Sequence, residues 1–399
     1  MNNWKETTLK ESIKIIDGDR GVNYPKNDEF SSNGYCLFLN TKNVPDVEFS
    51  FTEKMFITKE KDEKLKKGKL QRNDFVLTTR GTIGNFAYYS EKILFENIRI
   101  NSGMVILRVN EHILERDYFK FYLRSQLFRR QILQLSSGTA QPQLPIRDLN
   151  FFLITTPSIP EQKEIARVLS SLDDKIELLR NQNEMLEKIA QTIFKEWFVN
   201  FNLPAEVLTK VGVNGKKLKL KNGIPEGWRV GKYNDLVDVV TGKGIKKEDL
   251  ISSGQYKVLG ANGEIGRTDV YLFNESIILT GRVGTLGTIY ISKGKVWISD
   301  NVLISKAKSE ENFYFAYFNL RRFNFDSLNR GSTQPLITQT DLKNIEIIIP
   351  AQDTLKEWHN VVSKMFDKIY LNNSQIQTLS RLRDTLLPKL MSGEININI

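Results

Sequence analysis

The side chains best placed for chemistry form a duplicated set of arginine, glutamine and hydroxyl residues in small-residue loops. Arg80 precedes Gly81-Thr82-Ile83-Gly84, and Arg282 precedes Val283-Gly284-Thr285-Leu286-Gly287. Each follows a β-rich run, so a guanidinium beside a glycine turn can reach a phosphate or fork onto guanine. Gly138-Thr139-Ala140-Gln141-Pro142 and Gly331-Ser332-Thr333-Gln334-Pro335 make a second pair. Gln141 and Gln334 could pair bidentately with adenine, and Thr139, Ser332 and Thr333 could donate to phosphate. Thr82 and Thr285 lie inside the arginine loops, and Lys243, Lys246 and Lys247 follow the turn at Gly242. The competing reading is a surface ion pair for each arginine and turn capping for each glutamine.

Catalysis has little to work with. The only histidines, His112 and His359, lie far apart, and no Ser-His-Asp arrangement or metal cluster can be assembled around them. Neither a G-x-x-x-x-G-K-[ST] phosphate loop nor a G-x-G-x-x-G turn occurs. No catalytic residue and no metal site is therefore expected. One nuclease-like pattern, Pro45-Asp46 followed by Asp62-Glu63-Lys64, falls in a lysine-and-acid run at 59–69 and reads as a solvated face. Cys36 is the single cysteine, which excludes a disulfide framework and suits a reducing cytoplasm. The N-terminus lacks a signal pattern and no apolar run approaches a membrane span, so no membrane partner is expected. A net charge of +10 points toward a polyanion, although lysines kept for solubility would give the same number.

What must position these loops is one unit written twice. Residues 4–18 (WKETTLKESIKIIDG) align with 228–242 (WRVGKYNDLVDVVTG) at an offset of 224. The glycines of the arginine loops align at 203, and the two Gln-Pro loops at 193. The order of landmarks is the same, and the first copy is longer by 224 − 193 = 31 residues. Residues 1–157 read as a mixed α/β domain, with strands near 75–79, 85–89 and 104–108, a helix over 117–135 and a strand at 151–154. A linker or exposed hairpin at 201–223 leads to the second α/β domain, 224–349.

Each copy ends in a long helix, 158–200 and 350–390, before a tail at 391–399. The first opens on a capping box at Ser158-Ile159-Pro160-Glu161. Its seam is Ile165, Leu169, Leu172, Ile176, Leu179, Asn183, Leu186, Ala190, Ile193 and Trp197, a period of 3.5 that marks a coiled coil. Adding 193 gives Trp358, Val362, Met365, Ile369, Asn372, Ile376, Leu379, Arg383, Leu386 and Leu390. Eight of those ten are apolar, where the 40% composition would supply about four. Antiparallel pairing is expected, because a parallel pair would send the chain back along about 48 Å of helix. Pro388 should end or kink the second helix and leave Leu390 beyond the regular coil. The fold class is thus α+β, with two similar α/β domains separated by long antiparallel coiled-coil helices in a pseudo-twofold repeat.

In this order, several motifs resemble the specificity subunit of a Type I restriction–modification system. They are Ile224-Pro225-Glu226-Gly227-Trp228, the two Gln-Pro loops, Pro160-Glu161-Gln162, Glu196-Trp197-Phe198-Val199-Asn200-Phe201, and Leu387-Pro388-Lys389-Leu390-Met391-Ser392-Gly393. The likeness spans the chain, with one departure: Trp4 lacks the Pro-x-Gly lead-in of Trp228. The resemblance implies two target-recognition domains, each reading one half of a split site in double-stranded DNA. The helices would set the gap, where about 48 Å is on the order of one to one and a half turns of B-DNA. Outward faces of the helices would dock two methyltransferase (modification) subunits. S-adenosylmethionine would reside in those partners, and ATP and Mg in the restriction (motor-nuclease) subunits. This chain would bind no cofactor and catalyse nothing. Two other readings remain: a coiled-coil adaptor without DNA contact, and a self-contained metal-dependent nuclease. Salt-sensitive binding to duplex DNA and a metal-dependent cleavage assay separate them.

Overall fold

Short runs of Val, Ile, Leu and Phe between glycine and asparagine turns form the strands, and strand periodicity sends alternate residues to opposite faces. The computed structural model describes residues 4–136, 143–213, 215, 217–283, 286–328 and 336–397. It divides into two units, Met1–Leu178 with Gln375–Ile399, and Leu179–Ser374.

In the first unit an antiparallel sheet has the order Ile13–Asp17, Met104–Val109, Phe75–Thr78, Phe86–Tyr88. Phe75, Leu77, Val105 and Leu107 face one core, with Tyr118, Phe119 and Tyr122 of the helix Arg116–Arg124. Val76, Met104 and Ile106 face another, against Leu37, Leu39, Ile98 and Ile100 of a smaller sheet in which Cys36–Leu39 and Ile98–Ile100 run parallel. A third, two-stranded sheet pairs Lys5–Thr8 with Leu153–Thr156.

The second unit has the same plan. Its main sheet runs Val237–Thr241, Val302–Ala307, Ile277–Gly281, Ile289–Ser292. Ile278 and Leu303 face one core, while Ile277, Leu279, Val302 and Ile304 face the other. Tyr256–Gly260 runs parallel to Lys295–Ile298, and Arg229–Lys232 pairs with Glu346–Ile349. The glycines ending the two WK/WR repeats have the same physical reason. A Cβ on Gly18 would sit 2.3 Å from the Asn101 carbonyl oxygen, and one on Gly242 would sit 2.2 Å from that of Ser299.

The long helices are Ile159–Phe198 and Gln352–Ser392. Ser158 and Glu161 form the capping box, with the Ser158 amide donating to Glu161 Oε2 at 2.9 Å. Within the second unit the helices are antiparallel: Asn183 bonds Asn372, while Trp197 packs on Trp358 at 6.1 Å. In the first unit Arg383 donates to Asp173 at 2.8 Å, and Ile165 and Leu169 share a core with Leu387 and Leu390. Of the seam, Ile165, Leu169, Ile176, Leu179, Ala190, Trp197, Trp358, Val362, Asn372 and Leu390 are buried. Leu172, Asn183, Leu186, Ile193, Met365, Ile369, Ile376, Leu379, Arg383 and Leu386 are half-buried.

Four expectations need correction. Pro388 lies inside the second helix, and Leu390 is helical and only 2% exposed. A proline costs a helix interior about 3 kcal/mol. Burial of Leu387, Leu390 and Met391, at roughly 1.5–3 kcal/mol each, offsets it. The expected helix over 117–135 is two, Arg116–Arg124 and Gln126–Ser136, because Ser125 turns extended and its hydroxyl accepts from the Phe128 amide. The strand expected at 151–154 runs Leu153–Thr156. The 201–223 segment, expected as a linker or exposed hairpin, does end in a hairpin of Leu220–Lys221 with Ile224–Pro225, but its helix Ala205–Lys210 buries Val207 and Leu208 in the core of the second unit.

Candidate nucleic-acid interface

The arginine loop of each unit leaves the end of a central strand and is held from both sides. In the first unit the Thr79 amide donates to the Gly103 carbonyl at 2.8 Å, and the Leu144 amide donates to the Thr79 carbonyl at 3.0 Å. In the second, the Arg282 amide donates to the Asn301 carbonyl at 3.1 Å, and the Ile337 amide to the Arg282 carbonyl at 3.0 Å. Bridges Arg80 to Gln143 and Val283 to Leu336 complete the match. In each unit, then, the segment directly following the Gln-Pro motif returns beside the arginine loop. Thr139, Gln141, Thr285, Ser332, Thr333 and Gln334 lie outside the described residues.

These contacts correct one equivalence. The glycines of the two loops align, but Arg282 occupies the position of Thr79, and Arg80 that of Val283. A slip of one residue in extended chain turns a side chain to the other face. Arg80 is accordingly exposed, whereas Arg282 is half-buried and its Nε is enclosed without a hydrogen-bond partner among the described residues. Neither arginine forms an ion pair among the described residues. An enclosed, unanswered guanidinium N–H costs about 1–3 kcal/mol, which an incoming acceptor would recover. Gly84 and Gly287 both have positive φ, +89° and +73°, and a Cβ would strike Ile132 in one unit and Phe325 in the other. Thr82 is exposed, and its carbonyl accepts the Thr78 hydroxyl.

Lys243, Lys246 and Lys247 are exposed on the loop that follows the strand Val237–Thr241. Two bonds fix its start. The Lys243 amide donates to the Ile298 carbonyl at 2.8 Å, and Trp297 Nε1 donates to the Lys243 carbonyl at 2.9 Å. Lys246 is partly neutralised by Glu248 at 3.1 Å; Lys247 opens the short turn Lys247–Asp249. Trp297 also lines a cleft of about 360 Å³ with Ile245, Ile251 and Val270. Two useful side chains escaped the sequence reading. Trp297 is one, and Arg129 is the other, exposed at a cleft of about 310 Å³ beside Ile83 and Gly84. Arg129 sits in a helical pattern with no local sign that it faces a loop.

The nuclease-like pattern dissolves on inspection. Asp62 is 2% exposed and bonds Arg99 and Lys69. Burial raises its pKa, but the hydrogen bonds from Lys69 and Arg99 outweigh this and hold the carboxyl below the usual range. Among the described residues no group of three or more His, Cys, Asp or Glu could hold a metal ion. Burial first, and then the Asp62 charge, push the Cys36 thiol up to about 12, which leaves no thiolate for chemistry. Among the described residues no helix is long and apolar enough to cross a membrane.

Comparison with known proteins agrees with this layout. The Type I restriction modification DNA specificity domain family matches residues 1–188 and 225–381. The MjaIX specificity subunit of a Type I restriction enzyme from Methanocaldococcus jannaschii is 29% identical over 353 residues, covering 82% of this chain and 78% of that one. The HindI specificity subunit from Haemophilus influenzae is 22% identical, covering 99% and 100%. The crystal structure of a Type I restriction–modification S subunit from M. genitalium superposes with a TM-score of 0.59 at 16% identity, covering 100% of this chain and 97% of that one, a likeness of fold.

Proposed function

Since the chain belongs to the family of Type I restriction modification DNA specificity domains, we propose that each unit reads one half of a bipartite site in double-stranded DNA. The observation that carries this reading is the repeated loop geometry. In both copies, a strand end bearing an ion-pair-free arginine is tied to the chain that follows a Gln-Pro motif. Arg80, Thr82, Thr139 and Gln141 serve the first half-site. Arg282, Thr285, Ser332, Thr333 and Gln334, with Lys243, Lys246 and Lys247, serve the second. Guanidinium and carboxamide groups provide bidentate base contacts there, and hydroxyls and lysines engage phosphates.

The long helices set the gap between half-sites and dock two methyltransferase subunits. Their exposed apolar residues outside the seam suit that role: Leu178 and Leu382 in the first unit, and Met185, Ile189, Tyr370 and Leu371 in the second. Those partners supply S-adenosylmethionine, and a restriction subunit supplies the ATP- and Mg-dependent step. The chain itself contributes recognition and no catalysis. The deciding experiment is to map methylated bases in a genome carrying this protein with its modification partner. A split motif modified in both parts is expected. A continuous motif, or loss of this chain without loss of methylation, would refute the assignment.

A further inference from the structure

We infer that residues 59–69, in a segment eight residues longer than its counterpart in the second copy, form a phosphate-binding arm beside the arginine loop of the first unit; this rests on the DNA-reading function proposed above. The two small sheets fix where the copies differ. Leu39 matches Leu259, Phe56 matches Arg267 and Phe75 matches Ile278, so the offset falls from 220 to 211 to 203, which places nine extra residues before Phe56 and eight after Ile57. The helix Lys59–Lys64 and the turn after it span the second of these insertions. The run carries six lysines against three acids.

Such a run is ordinarily a solvated face. Here one of the three acids, Asp62, is spent on structure, while Glu60 and Glu63 stay exposed. Asp62 is buried against Arg99 and Lys69, and Glu63 lies 4.0 Å from Lys59. Lys61 pairs outside the run with Glu29 at 2.7 Å. Lys64, Lys66 and Lys67 are exposed and form no ion pair among the described residues. Their backbone is unusually well fixed for a lysine-rich turn. Arg99, only 6% exposed, donates to the carbonyls of Lys67 at 2.6 Å, Asp62 at 2.7 Å and Leu65 at 3.0 Å. The second copy has Trp297 in place of Arg99, so this clamp belongs to the first unit alone.

Successive contacts carry the arm to the arginine loop. The Lys66 amide donates to Asp19 at 2.8 Å, and neighbouring Arg20 donates to the Ser102 carbonyl at 3.3 Å. The next residue, Gly103, accepts the Arg80 amide at 3.2 Å. Lys64, Lys66, Lys67 and Arg80 are thus joined along one connected stretch of backbone, with Arg20, itself paired with Asp17 at 3.2 Å, between them. The arm's occupant is the sugar–phosphate backbone of duplex DNA, continuous with the proposed base-reading loop and opposite to it in charge.

The test uses the full-length chain and a labelled 30-base-pair duplex of arbitrary sequence, with affinity measured against salt. Replacing all three lysines (K64Q/K66Q/K67Q) should lower the slope of log K against log salt by about 2.7, at about 0.9 per lost phosphate contact. A control with the same charge change at exposed positions elsewhere in the unit, K5Q/K10Q/K14Q, should leave the slope unchanged. Circular dichroism checks that both variants keep their fold. An unchanged slope in the first variant, while R80A still weakens binding, overturns the arm and spares the DNA-reading function. Equal losses in both triple variants overturn it too, since the effect is then diffuse charge. A wild-type chain without salt-dependent binding defeats the underlying function instead.

Discussion

Replacing Asn183 and Asn372 together with leucine should make the protein more stable. Asn372 is fully buried in the helix pair, donates to Asn183 Oδ1 at 2.8 Å, and has a side-chain carbonyl with no partner among the described residues. Asn183 passes its own amide to Asn373 Oδ1 at 2.9 Å and is only half-buried. The double substitution N183L/N372L removes an unanswered buried acceptor that costs about 1–3 kcal/mol and gives up two hydrogen bonds worth about 1–3 kcal/mol together. It adds one fully and one partly buried leucine, roughly 2–4 kcal/mol together, less about 1 kcal/mol of packing strain. The balance is a gain of roughly 1–3 kcal/mol. In a domain of this size that raises Tm by on the order of 2–12 °C. Scanning calorimetry of wild type, N372A and N183L/N372L tests the reasoning, with N372A expected below wild type and the double leucine variant above it. A double variant that melts at or below the wild-type temperature would show that the amide pair stabilises the helices, contrary to this account. The expected gain also suggests why asparagine stands there: a polar rung specifies pairing and register at a cost in stability.

Three further outcomes follow from the site and the ion pairs. Exchanging residues 1–150 for a homologous domain should change one half of the methylated motif, and a change in both halves would refute independent reading. R282A and Q334A should each weaken specific DNA binding by about 1–3 kcal/mol if the contact is to a base. An equal loss on random duplex would make that contact a phosphate contact instead. The Asp62 carboxyl is held below its ordinary value by Lys69 and Arg99 despite burial. Its contribution is therefore complete above about pH 4 and lost as pH falls through the depressed value. Acid unfolding of the first unit, followed by circular dichroism, should be less pH-dependent in D62N, and an identical acid profile would sink the assignment.

Much of the plan was legible because it is repeated. The WK/WR strands, the turn glycines and the heptads are local signals, and each has a steric cause in both units. The errors were made where tertiary packing overrides local grammar. Pro388 is a helix breaker by rule, yet the core of the first unit needs Leu390 and Met391 and holds the helix through it. Ser125 looks unremarkable in a helical pattern until its hydroxyl caps the second segment. The two arginines looked equivalent beside aligned glycines, but only the strand register shows that they differ by one position. Asp62 could not be told from a solvated acid, since Arg99 lies 37 residues away. Trp297 carried no signal, because its role is to hold a backbone carbonyl.

The discontinuity of the first unit bears on how the protein is made. Its core includes Leu387, Leu390 and Met391, which emerge from the ribosome after the whole of the second unit. Between Leu178 and Gln375 lie 196 residues, or about 10–40 seconds of synthesis at about 5–20 residues per second. Throughout that interval the earliest-made domain waits with an apolar face uncovered, while the later one can finish first. A nonsense codon just before Leu387 would therefore damage a domain made long before it.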